Sequence, residues 1–196
     1  MTLKTIAIAV SKLKDYTGKK PSLEQYTTPS DIAARLSWLA FMNGDIEDKA
    51  VSDLGCGNGI LGISALLLGA RSVTFVDVDE RALDITESNC KSLKFENYKL
   101  VNENVADFHE KCDTVIMNPP FGVQTPGLDI LFLKQAALLA KKVYLVYKGD
   151  GLKIIVKNLP NHKITLLDEA ELALKNQFSF HTREKSKTKI ILVKIE

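Results

Sequence analysis

The sequence predicts a doubly wound α/β fold: a seven-stranded, mostly parallel sheet with an antiparallel last strand and helices on both faces. Three observations carry that expectation. From residue 50 onward, short apolar runs alternate with stretches of helical periodicity. A glycine-rich turn, Asp53-Leu54-Gly55-Cys56-Gly57-Asn58-Gly59, lies between the first such run and the first such helix. A rigid second turn, Asn118-Pro119-Pro120-Phe121-Gly122, follows the fourth run.

Taken in order, Leu3, Ile6, Val10 and Leu13 recur at helical spacing and give a one-sided helix, broken at Lys19, Lys20 and Pro21. Pro29 starts a second helix, carried by Ile32, Leu36, Leu39 and Ala40 and ended near Asn43 and Gly44. Trp38 reads as a core residue of that helix. Strands are expected at 50–54, 73–77, 98–102, 114–117, 143–147, 163–167 and 189–194. Helices are expected at 60–68, 80–93, 130–140 and 151–158. Little of the segment joining the last two strands can hold a helix, so they are expected to close as an antiparallel hairpin. Right-handed crossovers then put the ligand crevice at the carboxyl ends of the strands, where strand order reverses.

Composition narrows the class. A chain of 196 residues, 45% hydrophobic and 26% charged, suits a single domain and excludes disorder, collagen and a disulfide scaffold. No apolar run approaches the roughly 18 residues of a membrane span, and residues 6–10 are too short for a signal-peptide core. Cys56, Cys90 and Cys112 form no CxxC pair, and His109, His162 and His181 are not at ligand spacing, so no metal site is expected. Three free thiols suit a reducing compartment, the cytoplasm. The net charge of +2 conceals a partition: residues 1–20 carry +4, residues 21–174 carry −6, and residues 175–196 carry +4. An acidic body with basic ends suits a cationic cofactor together with a polyanionic substrate.

The glycine turn favours that cofactor. Ile60 stands where a dinucleotide fingerprint needs a small residue, and no Gly-Lys-Ser/Thr is present. Asp53 ahead of the glycines would repel a pyrophosphate but suits the ammonium and sulfonium of S-adenosylmethionine. Asp77 ends the next strand, 24 positions on, where a carboxylate can accept both ribose hydroxyls. A bare strand-to-helix turn would need neither acid.

Asn118 and Pro119 present an acceptor-rich pair, a side-chain oxygen and a carbonyl, on a backbone fixed by Pro119 and Pro120. A planar NH₂ group offers two hydrogens to such a pair, which frees its lone pair for attack. Phe121 can stack on the aromatic ring that bears the amine.

Together these residues resemble the Rossmann-like class I methyltransferases that act on amines. Further stretches narrow the resemblance: Glu24-Gln25-Tyr26 with Thr28, Ile32-Ala33-Ala34-Arg35, Asp77-Val78-Asp79-Glu80, Gly127-Leu128-Asp129 with Phe132-Leu133, and Phe180-His181 before a basic stretch. In order and spacing they resemble the methyltransferase-like protein 5 family of ribosomal RNA adenine-N6 methyltransferases and its prokaryotic relatives.

The resemblance implies a single methyltransferase domain, with residues 1–45 as a helical cap over the cofactor and 46–196 as the catalytic core. It implies that Gln25, Tyr26 and Thr28 close over S-adenosylmethionine, and that Gly55, Cys56, Gly57, Asn58 and Gly59 line its methionine end. Asp77, with Val78, would hold the ribose side. The family's acidic contact to the cofactor adenine aligns with Asn104, beside Val105; an amide oxygen can still accept that bond, and Glu103 is the neighbouring candidate. Asn118, Pro119, Pro120 and Phe121 would carry catalysis on an unpaired or flipped base. A small zinc-ribbon activator protein along a sheet edge is implied as partner.

Capture of RNA falls to the chain ends, where Arg183, Lys185 and Lys187 share a strand face and Phe180 and His181 interleave as stacking groups. A lysine-guarded edge strand would look the same. Asp129 reads as a helix cap; Tyr147 and Lys148 end the fifth strand beside the pocket. The competing substrates are a protein glutamine amide, a guanine N2 and a DNA adenine. The competing class is a non-catalytic RNA-binding assembly factor, against which the intact Asn118–Phe121 stretch argues.

Overall fold

The computed structural model describes residues 1–15, 26–173 and 187–196. Its strands are β1 (Ala50–Leu54), β2 (Ser72–Asp77), β3 (Tyr98–Asn102), β4 (Thr114–Met117), β5 (Lys142–Lys148), β6 (Ile164–Ala173) and β7 (Lys187–Ile195). Its helices are α1 (Leu3–Val10), α2 (Ser30–Met42), α3 (Ile60–Leu67), α4 (Glu80–Ser92), α5 (Leu128–Leu139) and α6 (Leu152–Asn158). The sheet order is β3-β2-β1-β4-β5-β7-β6. β1 to β5 run parallel, and β7 is antiparallel to both β5 and β6, as the sequence predicts. The order reverses between β1 and β4, so the turns that follow these two neighbours face each other across one crevice.

Burial on both faces explains the apolar runs. Val51, Phe75, Ile116 and Tyr144 point to one face, where Ile6, Leu36 and Ile63 of α1, α2 and α3 cover them. Leu54, Val115, Met117 and Leu145 point to the other, under Leu133 and Ala136 of α5 and Ile155 of α6. A one-residue slip of any central strand would exchange these two sets, so the register is strongly specified.

The element ends differ from expectation in instructive places. α1 stops at Val10, well before Lys19, and Leu13 lies beyond it. The Ser11 hydroxyl donates to the Ile8 carbonyl at 2.9 Å, a local bond that competes with extending the helix. Pro29 is the N-cap of α2 and sits just outside it; its carbonyl accepts from Ala33 at 2.9 Å. β6 runs on to Ala173, past the predicted end at 167. Asp168, Glu169 and Glu171 hide that extension in the sequence, but β6 is a sheet edge where charge is tolerated, and Arg35 meets Asp168 at 2.5 Å. Among the described residues no helix is long and apolar enough to cross a membrane.

Candidate active site

The glycine turn after β1 is built by backbone that side chains would obstruct. Gly55, Gly57 and Gly59 have φ of +67°, +58° and +80°, a region that costs other residues roughly 1–2 kcal/mol. At Gly55 a Cβ would also come within 3.0 Å of the Phe132 ring. The Gly55 and Cys56 amides donate to the Val76 carbonyl at 2.8 and 3.1 Å, which ties the turn to β2. At the end of β2, Asp77 accepts from Gly57 N–H at 2.9 Å and, through its other oxygen, from Asp79 N–H at 2.9 Å. The Val78 backbone also bonds this carboxylate, which keeps acceptor capacity for a further donor.

Asp53 lies behind this turn. Its side chain is 1% exposed, and one oxygen accepts from Gly62 N–H at 2.8 Å, fixing the first turn of α3. Burial pushes its carboxyl up to about 7, against the lowering effect of the Gly62 bond, and the charge of Asp77 adds to the rise. Burial also raises Asp77, and it raises the Cys56 thiol, with both carboxylates contributing to the latter. A cation bound at the turn would favour the ionised form of both carboxyls and oppose these upward shifts. That is the electrostatic fit expected for a sulfonium nucleoside carrying an ammonium group.

A small cavity of about 30 Å³ opens at the turn. Tyr26, Thr27, Thr28, Gly55, Cys56, Gly57, Asn58, Ile60, Leu61 and Asn118 line it. The Asn118 side-chain oxygen accepts from the Tyr26 hydroxyl at 2.7 Å, and its amide nitrogen donates to Thr28 Oγ1 at 2.8 Å. Phe121 meets the Tyr26 ring at 5.4 Å, tilted, and the Tyr147 ring edge-on at 6.2 Å.

The structure therefore gathers Tyr26, Thr28, Gly55, Cys56, Gly57, Asn58 and Asn118 around one cavity, with Asp77 bonded to its floor. Asp53 and Gly59 hold the turn from behind, Gly59 as the N-cap of α3. Val78 stands 55% exposed just past Asp77. Asn104 is exposed and its oxygen accepts from Ala106 N–H at 3.0 Å, while Val105 is buried in the core beneath α5. Gln25, Phe180, His181, Arg183 and Lys185 lie outside the described residues, as does the Lys187 side chain.

Sequence reasoning missed the tie that seats the N-terminal segment. Lys14 N–H donates to the Asn89 oxygen at 2.9 Å. The Asn89 amide in turn donates to the carbonyls of Lys14 and Asn58, each at 3.0 Å, and the Asn58 amide donates to Lys14 at 3.2 Å. Thr27 donates to Asp15 at 2.7 Å. No motif announces a tie between residues this far apart in the chain. Its only signal is an asparagine on the apolar side of α4, where a polar side chain needs partners.

Residues 29–194 match the family of methyltransferase small domains. A Danio rerio protein described as the rRNA N(6)-adenosine-methyltransferase METTL5 is 34% identical over 193 residues, covering 94% of this chain and 93% of its own length. Its Drosophila melanogaster counterpart is 38% identical over 143 residues, covering 69% and 67%. A crystal structure from Pyrococcus horikoshii, provisionally described as an RNA methyltransferase, superposes with a TM-score of 0.89 at 35% identity, covering 100% of this chain and 96% of that one.

Proposed function

Because the chain belongs to the methyltransferase small domain family, in its METTL5 branch, we propose that it transfers methyl groups from S-adenosylmethionine to the N6 amine of an adenosine in ribosomal RNA. One observation supports this above the others. Asn118 leaves β4 directly opposite the glycine turn of β1, with its amide lining the same cavity as Gly55 and Gly57 and with Phe121 beside it. The aromatic surroundings of Phe121, Tyr26 and Tyr147, favour a nucleobase over a glutamine amide.

When bound, S-adenosylmethionine supplies a methyl group already activated on a sulfonium, so the protein's work is positioning and charge control. Asp77 would accept from the ribose hydroxyls with the acceptor capacity left by its backbone bonds. Gly55, Cys56, Gly57 and Asn58 would line the methionine end, with Asp53 and Asp77 supplying negative charge behind them. Tyr26 and Thr28 would close over the cofactor, with Gln25, and residues 1–45 would serve as the cap on a core of 46–196. The Asn118 oxygen and the Pro119 carbonyl would each accept one hydrogen of the target amine, leaving its lone pair directed at the methyl carbon. The Tyr26 hydroxyl donates to the same Asn118 oxygen, whose second lone pair would take the amine hydrogen. Phe121 would hold the base, which must be unpaired or flipped to reach this depth. The proton lost from the amine would pass to water, or along the Asn118-Pro119 carbonyl path.

Two partners follow. RNA would bind along the basic ends, through Arg183, Lys185 and Lys187 with Phe180 and His181. A zinc-ribbon protein would add to the sheet at β3, the outermost strand beside β2.

Asn118→Ala tests the amine site. The variant is expected to bind S-adenosylmethionine with wild-type affinity by calorimetry and to lose methyl transfer to RNA. Near-normal turnover would show that Asn118 does not position the amine.

A further inference from the structure

We propose that Lys148 and Asp129, with Tyr147, are positioning residues for methyl transfer, holding Phe121 in the orientation that receives the base. This rests on the reading that Phe121 is the base-holding residue.

Phe121 and the glycine after it lie against Lys148, Tyr147 and Asp129. The Lys148 ammonium at the end of β5 donates to the Phe121 carbonyl at 3.2 Å. The Tyr147 ring packs edge-on against the Phe121 ring at 6.2 Å. Gly122, at φ +71°, lies so close to Asp129 that a Cβ there would come within 2.9 Å of the carboxylate. Lys148 thus holds the Phe121 backbone and Tyr147 its ring, while a glycine at 122 leaves Asp129 the room it occupies.

Asp129 joins the other two. It lies in the first turn of α5 and is 5% exposed. One oxygen accepts from Ile130 N–H at 3.0 Å, the local bond of a helix start. The other accepts from the Tyr147 hydroxyl at 2.5 Å and lies 3.4 Å from the Lys148 ammonium. Burial and this bond to Asp129 push the Tyr147 hydroxyl well above its usual range, so it stays a donor. Capping a helix does not require a buried carboxylate joined to both a lysine and a tyrosine. Buried ionic groups are a poor source of stability compared with apolar packing of the same size. What this cluster supplies is fixed geometry for one loop.

Charge points the same way. The amine gains positive charge as it takes the methyl group, and an unpaired cation beside Phe121 would oppose that step. Asp129 neutralises Lys148, so the ammonium can hold the Phe121 carbonyl without adding net positive charge at the site.

The test compares Lys148→Met, which keeps the stem and removes the charge, with Lys148→Arg, which keeps a cationic donor. Lys148→Met is expected to lower kcat by about tenfold to a hundredfold, with KM for RNA and Kd for S-adenosylmethionine each within about threefold of wild type. Lys148→Arg is expected to recover most of kcat. Phe121 carrying a 4-fluoro label, assigned by its absence in Phe121→Leu, should give a shifted or broadened fluorine resonance in Lys148→Met and a wild-type resonance in Lys148→Arg. An unchanged kcat and resonance in Lys148→Met would overturn the proposal, as would a loss of cofactor affinity matching the loss of rate. If the wild-type protein methylates no RNA, the functional reading fails, while the fluorine spectrum still decides whether Lys148 holds Phe121.

Discussion

Asp53 stands where the sequence suggests a cofactor carboxylate, but its one resolved bond is to the backbone of α3. Its charge acts on the site from a buried position, and its own protonation records the cost. The folded value near 7 lies above the ordinary carboxylate value of 3.8. Between those two values the folded protein keeps a proton that the unfolded chain has lost. The stability this supplies is fully present below about pH 4 and is lost as the pH rises through about 7. Without cofactor, the urea midpoint of the wild-type protein should fall over that window, by an amount worth at most about 4 kcal/mol. Asp53→Asn, which stays uncharged and can still accept from Gly62, should show a flatter profile. Parallel profiles for the two proteins would assign the pH dependence to other groups.

At the scale of elements, the buried parallel strands were legible to within a residue or two because burial on both faces leaves an unbroken apolar run. β1 and β4 match their expected bounds, and β5 differs by one residue at each end; β3, a half-exposed strand at one edge, also matches its bounds. The opposite edge was less legible. β6 carries Asp168, Glu169 and Glu171 in a strand whose outer side needs no apolar partner, so its second half reads as loop. The two site turns were readable because glycine and proline restrict the backbone locally. The contacts that join the N-terminal segment to them, Tyr26 to Asn118 and Lys14 to Asn89, were not, since each depends on a fold that brings distant residues together. β3 carries its own consequence. It ends the sheet, and a groove of about 790 Å³ lined by Lys91, Phe95, Tyr98 and Leu100 runs beside it. An added strand there would cover apolar surface and pair open backbone. A zinc-ribbon protein expressed together with this chain should elute with it as one species by size exclusion, and two separate species would contradict the partner.

The whole molecule resolves the problem posed by its charge. A net +2 looks too small for a nucleic-acid enzyme, but the sequence divides it between an acidic stretch, 21–174, that carries both site turns and two basic ends, which we propose meet the polyanion. The sheet brings the glycine turn and the Asn118 turn to one point of strand reversal, where methyl donor and amine can meet. The most direct test of that account is the identity of the methylated product. Ribosomal RNA from cells lacking the protein would be incubated with the full chain and isotope-labelled S-adenosylmethionine, then digested to nucleosides and resolved by mass spectrometry. The account requires the label in N6-methyladenosine. Label in N2-methylguanosine, or in a protein glutamine with none in RNA, would contradict it.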